Sequence, residues 1–271
     1  MSKILILVQI ANCMYIDNLF SKILKYNNGI NLFLISIDKS IFVNLKQYNL
    51  LNYRIFTHDN IGMDIGPYLL QLLWMCNNLH NNSYDYIYKI HTKSNQKWFD
   101  ELTDIDIDDS GKNIYMAEKW KFNLDNLNIF HINTICVEHN IKNIYYDEFY
   151  DNTVKYDEID EQFYASYYDL SLNNCDTISR LLGYDVNRQF IYDHAIKNNN
   201  IVNEKYISVK RKHKTQFCAG SIFIINYKLT YDFFKTINIK KLYSHLEPEY
   251  TANDHSTYVH ALERIVSSFF L

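Results

Sequence analysis

The chain has 271 residues, of which 48% are hydrophobic and 21% are charged, a composition typical of a globular protein with a sizeable core. Its formal net charge of −4 argues against an extended cationic surface, and so against nucleic-acid binding as the main function. The sequence contains no apolar run of the roughly 20 residues that span a bilayer, so we expect a cytoplasmic protein that meets its substrates there or at a membrane surface. The five cysteines are never spaced Cys-x-x-Cys, which excludes a zinc ribbon and a disulfide framework.

Strand and helix patterns alternate over the first 95 residues. A continuous apolar run predicts a strand that is buried on both faces at residues 3–10. Further strands are predicted at residues 30–38, at residues 53–57 and, with an alternating pattern, at residues 84–91. Apolar residues at helical spacing predict helices at residues 15–26, 40–49 and 67–79. This alternation favours parallel βαβ units and a Rossmann-type α/β sheet, whose ligands bind beyond the carboxyl ends of the strands.

The pattern is weaker between residues 96 and 215, where a helix is predicted over residues 176–182. Order returns in FCAGSIFIINY, residues 217–227, which predicts one strand interrupted by a glycine. A helix near residues 231–235 and a final amphipathic helix over residues 256–270 follow. The chain shows no internal repeat and no flexible linker, so we expect a single domain with a long central elaboration.

The sharpest local motif is NIGMDIGP, residues 60–67, between a predicted strand and a predicted helix. The chain has only 6 glycines, so Gly62 and Gly66 are expected to serve a backbone conformation or a close approach to a ligand. The N–H groups at the start of a helix suit a phosphate, and Asp64 would suit sugar hydroxyls. The alternative is a strand-to-helix turn in which Asp64 is a simple cap.

Lys89, His91 and Lys93 stand at the end of the fourth predicted strand, in YKIHTK. Because side chains alternate along a strand, these three share one face at the edge where ligands bind. Two cations beside an imidazole would neutralise the charge that builds on a diphosphate leaving group. The alternative is a solvated strand end.

Three further segments contain candidate residues. Gly220, inside the apolar FCAGS, indicates a bulge or a close approach by a substrate, or else tight packing. His260, Glu263 and Arg264 share one surface of the last predicted helix, where Glu263 would be a general base tuned by His260, or would contact His260 without chemistry. The acidic run TDIDIDDS, residues 103–110, has Asp-x-Asp spacings that suit Mg²⁺ or Mn²⁺, although a solvated loop is the simpler interpretation.

Four segments, in this order, resemble the rhamnan synthesis F family of glycosyltransferase-like proteins: NIGMDIGPYL, YDYIYKIHTKSNQKW, FCAGSIFII and HALERI. The first half also resembles the GT-A nucleotide-sugar fold more generally. The resemblance implies a GT-A-like, Rossmann-type mixed sheet flanked by helices. It implies a domain of three parts: a nucleotide-sugar-binding half (1–95), a variable elaboration (96–215) and an acceptor-binding and catalytic part (216–271).

The resemblance also implies an activity, the transfer of a sugar such as L-rhamnose from a UDP- or dTDP-linked donor to a glycan acceptor. The donor-binding residues would be Asp38, Asn60, Gly62, Asp64, Gly66, Lys89, His91 and Lys93. The acceptor would be bordered by Gly220 and Ser221, and the catalytic residues would be Glu263, His260 and Arg264.

The chain departs from the general GT-A pattern at the end of the fourth strand. The metal-binding Asp-x-Asp of that pattern is replaced by His91, Thr92 and Lys93, so cationic side chains would take over charge neutralisation. We therefore assign no metal ligand, and a dependence on Mn²⁺ or Mg²⁺ stays open. Two rival functions remain: a non-catalytic glycan- or nucleotide-binding module that retains the fold, and a sugar-phosphate hydrolase that uses the TDIDIDDS carboxylates.

Overall fold

A computed structural model describes residues 2–108, 110–123, 216–248 and 258–268 of the chain. The chain divides into two compact units, of which the first comprises Met1–Phe122, Gln216–Tyr250 and Leu262–Leu271. Of the second unit, only Asn123 and residues 258–261 are described. The predicted helix at residues 176–182 and most of the predicted elaboration lie outside the described residues, so the three-part organisation stays a prediction.

The described strands form one large mixed sheet and one small sheet. The large sheet contains β1 (Ile4–Ile10), β2 (Leu32–Asp38), β3 (Tyr53–His58), β4 (Tyr86–His91), β5 (Ile114–Tyr115) and β8 (Phe223–Asn226). The small sheet pairs β6 (Lys121–Asn123) with β7 (Gln216–Cys218). The order in the large sheet is β3-β2-β1-β4-β8-β5; β1 to β4 are parallel, and β8 is antiparallel to its two neighbours. This confirms the predicted α/β class with a mixed sheet flanked by helices, an arrangement compatible with a Rossmann-type fold; the GT-A-like fold stays a prediction.

Helices connect and flank these strands. In the described part of the chain the α-helices are α1 (Ile16–Ile23), α2 (Ile65–Asn78), α3 (Gln96–Leu102), α4 (Tyr227–Thr236), α5 (Ile239–Ser244) and α6 (Tyr258–Ser268). Short 3-10 helices cover Cys13–Tyr15, Leu24–Tyr26, Leu45–Tyr48 and Glu118–Trp120. Among these described helices, none combines the length and the apolar character needed to cross a membrane.

The core lies around β1 and β2, in which every residue is buried, as continuous apolar runs predict for central parallel strands. Helix α2 is attached to both strands through the buried amide of Gln71. This amide donates to the carbonyl oxygens of Val8 at 2.9 Å and Leu34 at 2.7 Å, and it accepts from Gln9 at 2.6 Å. These bonds fix α2 on the sheet and so determine where its first residues lie.

Two of the predicted elements differ from the structure. The short helix predicted at residues 40–49 is a 3-10 helix confined to Leu45–Tyr48: the side chain of Asn44 caps its start, and Asn49 ends it in the left-handed conformation, with φ 48°. Residues 217–227 do not form one strand. Positive φ angles at Gly220 (86°) and Ser221 (53°) turn the chain between β7 and β8, which belong to different sheets.

Candidate functional site

The carboxyl end of β4 brings together segments that are distant in sequence. The Nζ atom of Lys89 lies 2.6 Å from Oδ2 of Asp64, just before α2, and 2.9 Å from the carbonyl oxygen of Ser221, in the turn between β7 and β8. The Lys89 side chain has no exposed surface, and its ammonium lies 5.3 Å from the ring centre of Tyr68 and 5.9 Å from that of Phe223. The alternative interpretation of Lys89, as a side chain at a solvated strand end, is therefore excluded.

Asp64 pairs with Lys89 instead of capping α2, because its side chain makes no hydrogen bond to the helix amides. Burial alone would raise the pKa of Asp64, but the charges of Lys89, His91 and Lys93 hold that pKa well below its usual range. Burial lowers the pKa of Lys89 more than its pairing with Asp64 raises it. The carboxylate is ionised at neutral pH, and the simple-cap interpretation of Asp64 is wrong.

His91 lies beside this pair, with Nδ1 3.7 Å from Oδ2 of Asp64, too far for a hydrogen bond. The side chain is buried, and neither ring nitrogen has a hydrogen-bond partner. Burial lowers the pKa of His91 well below 6.5. The charge of Asp64 raises this pKa, whereas the charges of Lys93 and Lys89 lower it further. The imidazole is therefore neutral at pH 7.

Lys93 and Trp98 extend the site towards α3. Lys93 is half-buried, and its Nζ atom lies 4.3 Å from the ring centre of Trp98. This distance is within the range of a cation–π interaction. The cationic face predicted at the end of β4 thus continues onto an aromatic ring of the next helix.

The turn between β7 and β8 makes hydrogen bonds to two other segments of the chain. The amide N–H of Gly220 donates to Oε1 of Glu263 at 2.9 Å, and the carbonyl oxygen of Ser221 accepts from Lys89. A Cβ atom on Gly220 would lie 2.9 Å from Cζ2 of Trp98, so tight packing accounts for this glycine. Ser221 adopts a positive φ although it is not glycine, and strained residues of this kind concentrate at functional sites.

Helix α6 lies within the predicted range 256–270 and carries the three predicted catalytic residues. Glu263 is partly buried against the Gly220 turn, as described above. Arg264 is buried, with its guanidinium carbon 5.1 Å from the ring centre of Phe217 in β7. His260 is buried too, in the part of α6 that belongs to the second unit. The structure thus brings Glu263, of these three, to the turn that follows β7.

Gly62 and Gly66 are packed against the protein itself. A Cβ atom on Gly62, where φ is +68°, would lie 2.5 Å from Cδ1 of Leu246, and a Cβ on Gly66 would lie 1.9 Å from the carbonyl oxygen of Ile61. The amides of Ile65 and Gly66 both donate to the carbonyl oxygen of Gly62. Two of the amides expected to face a phosphate at the start of α2 are therefore already used, and the donor-binding role of these glycines stays a prediction.

Asp38 and Asn60 lie apart from the end of β4. Asp38 is the last residue of β2, which β1 separates from β4, and its carboxylate accepts from the amide and the hydroxyl of Ser40. Asn60 is exposed in the loop after β3. Their contact with the nucleoside of a donor stays a prediction.

The acidic run at residues 103–110 lies at the opposite edge of the sheet. Asp106 and Asp108 line a cavity of about 560 Å³ together with Ile4 and Tyr86, the first residues of β1 and β4. Both aspartates are exposed, and each pairs with an exposed lysine. This is the geometry of a solvated loop, and it does not favour the hydrolase.

The carboxyl end of β4 does not suit a divalent cation. Across the described ranges, no group of three or more His, Cys, Asp or Glu side chains is arranged to hold a metal ion. The Asp64 carboxylate is paired with Lys89, and the charge of Lys93 also acts on it. Since Mg²⁺ and Mn²⁺ prefer several oxygen ligands, these residues do not fit the metal of the general GT-A pattern.

We call this group of residues the β4 cluster: Asp64, Lys89, His91, Lys93, Trp98, Gly220, Ser221 and Glu263. Sequence reasoning identified all of them as candidates except Trp98. An aromatic residue in a short helix is usually a core residue, so its type gives no signal. Its position gives a weak one, because α3 begins only three residues after Lys93.

No protein-family model matches the sequence, and no curated protein matches it either. The resemblance to the rhamnan synthesis F family therefore stays a prediction that rests on four segments and their order. Each of the four segments contributes to the β4 cluster: Asp64 from the first, Lys89 to Trp98 from the second, Gly220 and Ser221 from the third, and Glu263 from the fourth.

Proposed function

We propose that the chain is a glycosyltransferase that moves a sugar, such as L-rhamnose, from a UDP- or dTDP-linked donor to a glycan acceptor. The observation that supports this proposal is the convergence of all four segments at the carboxyl end of β4. Ligands of open α/β sheets bind at this edge. The fold alone would not support the proposal, because such sheets carry many unrelated activities.

The β4 cluster contains the groups that sugar transfer requires. The reaction breaks the bond between the anomeric carbon and the diphosphate oxygen, and it forms a bond from that carbon to an acceptor hydroxyl oxygen. Lys93, which is half-buried, supplies positive charge to the departing diphosphate. Lys89 is fully buried and acts by holding Asp64 and the Ser221 turn in place.

In an inverting transfer, a base must remove the proton of the acceptor hydroxyl. Glu263 is our candidate, because it is partly exposed and lies next to the turn predicted to border the acceptor. Its Oε1 atom is occupied by the amide of Gly220, which leaves Oε2 to accept the proton. The same hydrogen bond holds the carboxylate in one orientation.

A specific observation also favours the second candidate, a binding module for nucleotides or glycans. Three charged groups of the β4 cluster have partners within the protein: Lys89 pairs with Asp64, and Glu263 accepts from the amide of Gly220. A site of this kind can recognise a nucleotide sugar without transferring its sugar. Binding and turnover must therefore be measured separately.

Thermal unfolding against UDP, dTDP and their rhamnose conjugates, each with and without Mn²⁺, tests the proposal. A ligand at a hundredfold excess over its Kd stabilises by about 2.7 kcal/mol, which raises the melting temperature by several degrees. The Lys93→Met variant should lose most of this shift, and the matched variant of exposed Lys97, Lys97→Met, should keep it. Binding followed by release of the sugar supports the transferase, and binding without turnover identifies the binding module. No shift with any nucleotide, in folded protein, would contradict the transferase and a nucleotide-binding module, and it would favour a glycan-binding module.

A further inference from the structure

We propose that the Ser221 hydroxyl, the Trp98 indole N–H and the His91 imidazole form a subsite for one phosphoryl oxyanion. The inference rests on the proposed function and deepens it. It adds Trp98 and Ser221 to the donor-binding residues, and it gives Ser221 a role towards the donor instead of the acceptor.

The first argument is that these three side chains carry buried polar atoms without any hydrogen-bond partner. They are Oγ of Ser221, Nε1 of Trp98 and both ring nitrogens of His91. Ser221 has no exposed surface, and His91 is 5% exposed. Folded proteins leave few buried polar groups unsatisfied, because each one loses its bonds to water without replacement. Three such residues in one cluster indicate that a ligand completes their hydrogen bonds.

The second argument is that the indole ring of Trp98 packs against the turn that contains Ser221. A Cβ atom on Gly220, the residue before Ser221, would lie 2.9 Å from Cζ2 and 3.4 Å from Cε2 of Trp98. Trp98 and Ser221 are therefore both at this turn.

His91 is connected to this turn through the buried ion pair. The ammonium of Lys89 contacts both the carbonyl oxygen of Ser221 and Oδ2 of Asp64, and Nδ1 of His91 lies 3.7 Å from that Oδ2 atom. Since side chains two residues apart share one face of a strand, His91 lies on the face of β4 that carries Lys89. The contacts of Lys89 and Asp64 thus connect His91 to the turn that contains Ser221.

The third argument concerns the kind of ligand. The indole N–H only donates, a hydroxyl donates readily to an anion, and a neutral imidazole keeps one N–H. The ammonium of Lys93 adds positive charge beside Trp98, and the Asp64 carboxylate is neutralised by Lys89. A site with more donors than acceptors suits a phosphoryl oxyanion better than a sugar hydroxyl, which needs an acceptor as well.

The backbone at Ser221 is a fourth observation. Its φ of 53° lies in the left-handed region, which glycine adopts far more easily than serine. A serine in this conformation is explained if its hydroxyl has a function.

Isothermal titration calorimetry with inorganic pyrophosphate and with UDP tests the subsite. Trp98→Phe keeps the aromatic ring but removes the N–H, and Ser221→Ala removes only the hydroxyl. The matched control is Trp74→Phe, because Trp74 lies in α2 and its ring contacts Phe56 and Arg54, outside the cluster. We expect each cluster variant to bind pyrophosphate at least about tenfold more weakly, since hydrogen bonds to charged groups are strong, and the control to bind as the wild type does.

The outcomes separate the subsite from the proposed function. Equal affinity of the wild type, Trp98→Phe and Ser221→Ala for pyrophosphate would overturn the subsite. So would a wild-type protein that binds UDP but not pyrophosphate. If Trp98→Phe fails to fold, Ser221→Ala decides alone. A wild-type protein that binds neither pyrophosphate nor any nucleotide would overturn the proposed function together with the subsite.

Discussion

The ammonium of Lys89 and the carboxylate of Asp64 lie 2.6 Å apart, and they join β4 to the start of α2 across 25 positions of sequence. The same ammonium binds the carbonyl oxygen of Ser221. Removing two charges from water costs free energy that their attraction often does not recover, so the pair is better understood as a positioning device than as a source of stability. It fixes three segments of the β4 cluster relative to one another.

This geometry predicts strong coupling between the two residues. We expect Lys89→Met to lower the free energy of unfolding by up to about 3–5 kcal/mol, because it leaves a carboxylate that is only 18% exposed without its partner. Adding Asp64→Asn should recover part of the loss, since a neutral amide needs no counter-charge. Urea unfolding of the single and double variants measures the coupling energy, and strictly additive losses would show that the pair is not coupled.

Two substitutions at Glu263 separate its chemistry from its hydrogen bond. Glu263→Gln keeps an oxygen that can accept from the amide of Gly220, so its melting temperature should stay close to that of the wild type. Glu263→Ala leaves that amide unpaired and should cost about 1–3 kcal/mol of unfolding free energy. If Glu263 is the base, both variants lose sugar transfer. Normal turnover in Glu263→Gln would show that the residue only positions the turn.

Gly62 and Gly111 form a matched pair for measuring packing. Their φ angles are +68° and +67°, so the left-handed backbone conformation should destabilise an alanine by a similar amount, about 1–2 kcal/mol, at either position. A Cβ on Gly111 has no neighbour within 4 Å, whereas one on Gly62 would lie 2.5 Å from Cδ1 of Leu246. We expect Gly62→Ala to lose a further 1–3 kcal/mol or so in urea unfolding. Equal losses would show that Leu246 moves aside at no cost.

The neutral state of His91 predicts a pH dependence of stability. Its pKa in the folded protein is far below 6.5, so below about pH 6.5 the unfolded chain binds a proton that the folded chain does not. The free energy of unfolding should therefore fall as the pH decreases, by up to about 1.4 kcal/mol per pH unit from this residue.

Urea unfolding at several pH values between about 5 and 7.5 measures this slope. His91→Gln should remove its share of the slope. The exposed His80 is the matched control, and His80→Gln should keep the wild-type dependence. An unchanged slope in His91→Gln would show that the folded protein protonates His91 as readily as the unfolded chain does.

The strands that lie at the centre of the sheet could be predicted from the sequence to within two residues. The apolar runs at residues 3–10 and 30–38 became β1 and β2, because a strand buried on both faces needs apolar side chains throughout. The predicted strands also identify the acidic and cationic candidates, because ligands of such sheets bind beyond the carboxyl ends of the strands. The hydrogen-bond partners of these candidates could not be predicted, since the pairing of Lys89 with Asp64 depends on how α2 packs on the sheet.

Other features of the structure could not be predicted from the sequence. β5 and β6 have two and three residues, too few for any periodic pattern. The sequence predicts one interrupted strand where the structure has β7, a turn and β8, because the residue type of Ser221 gives no indication of its positive φ. Trp98 reaches the cluster only because Gly220 leaves room for its ring.

The position of β8 in the sequence has a consequence for co-translational folding. Translation adds about 5–20 residues per second, so the 132 positions between Lys89 and Ser221 take about 7–26 s to emerge. Throughout that interval β1 to β4 have been synthesised, while β4 lacks its antiparallel neighbour and exposes a row of unpaired backbone groups. Such an edge is a template for pairing with other chains. The nascent protein therefore passes through an aggregation-prone stage that ends only when β8 adds to the sheet.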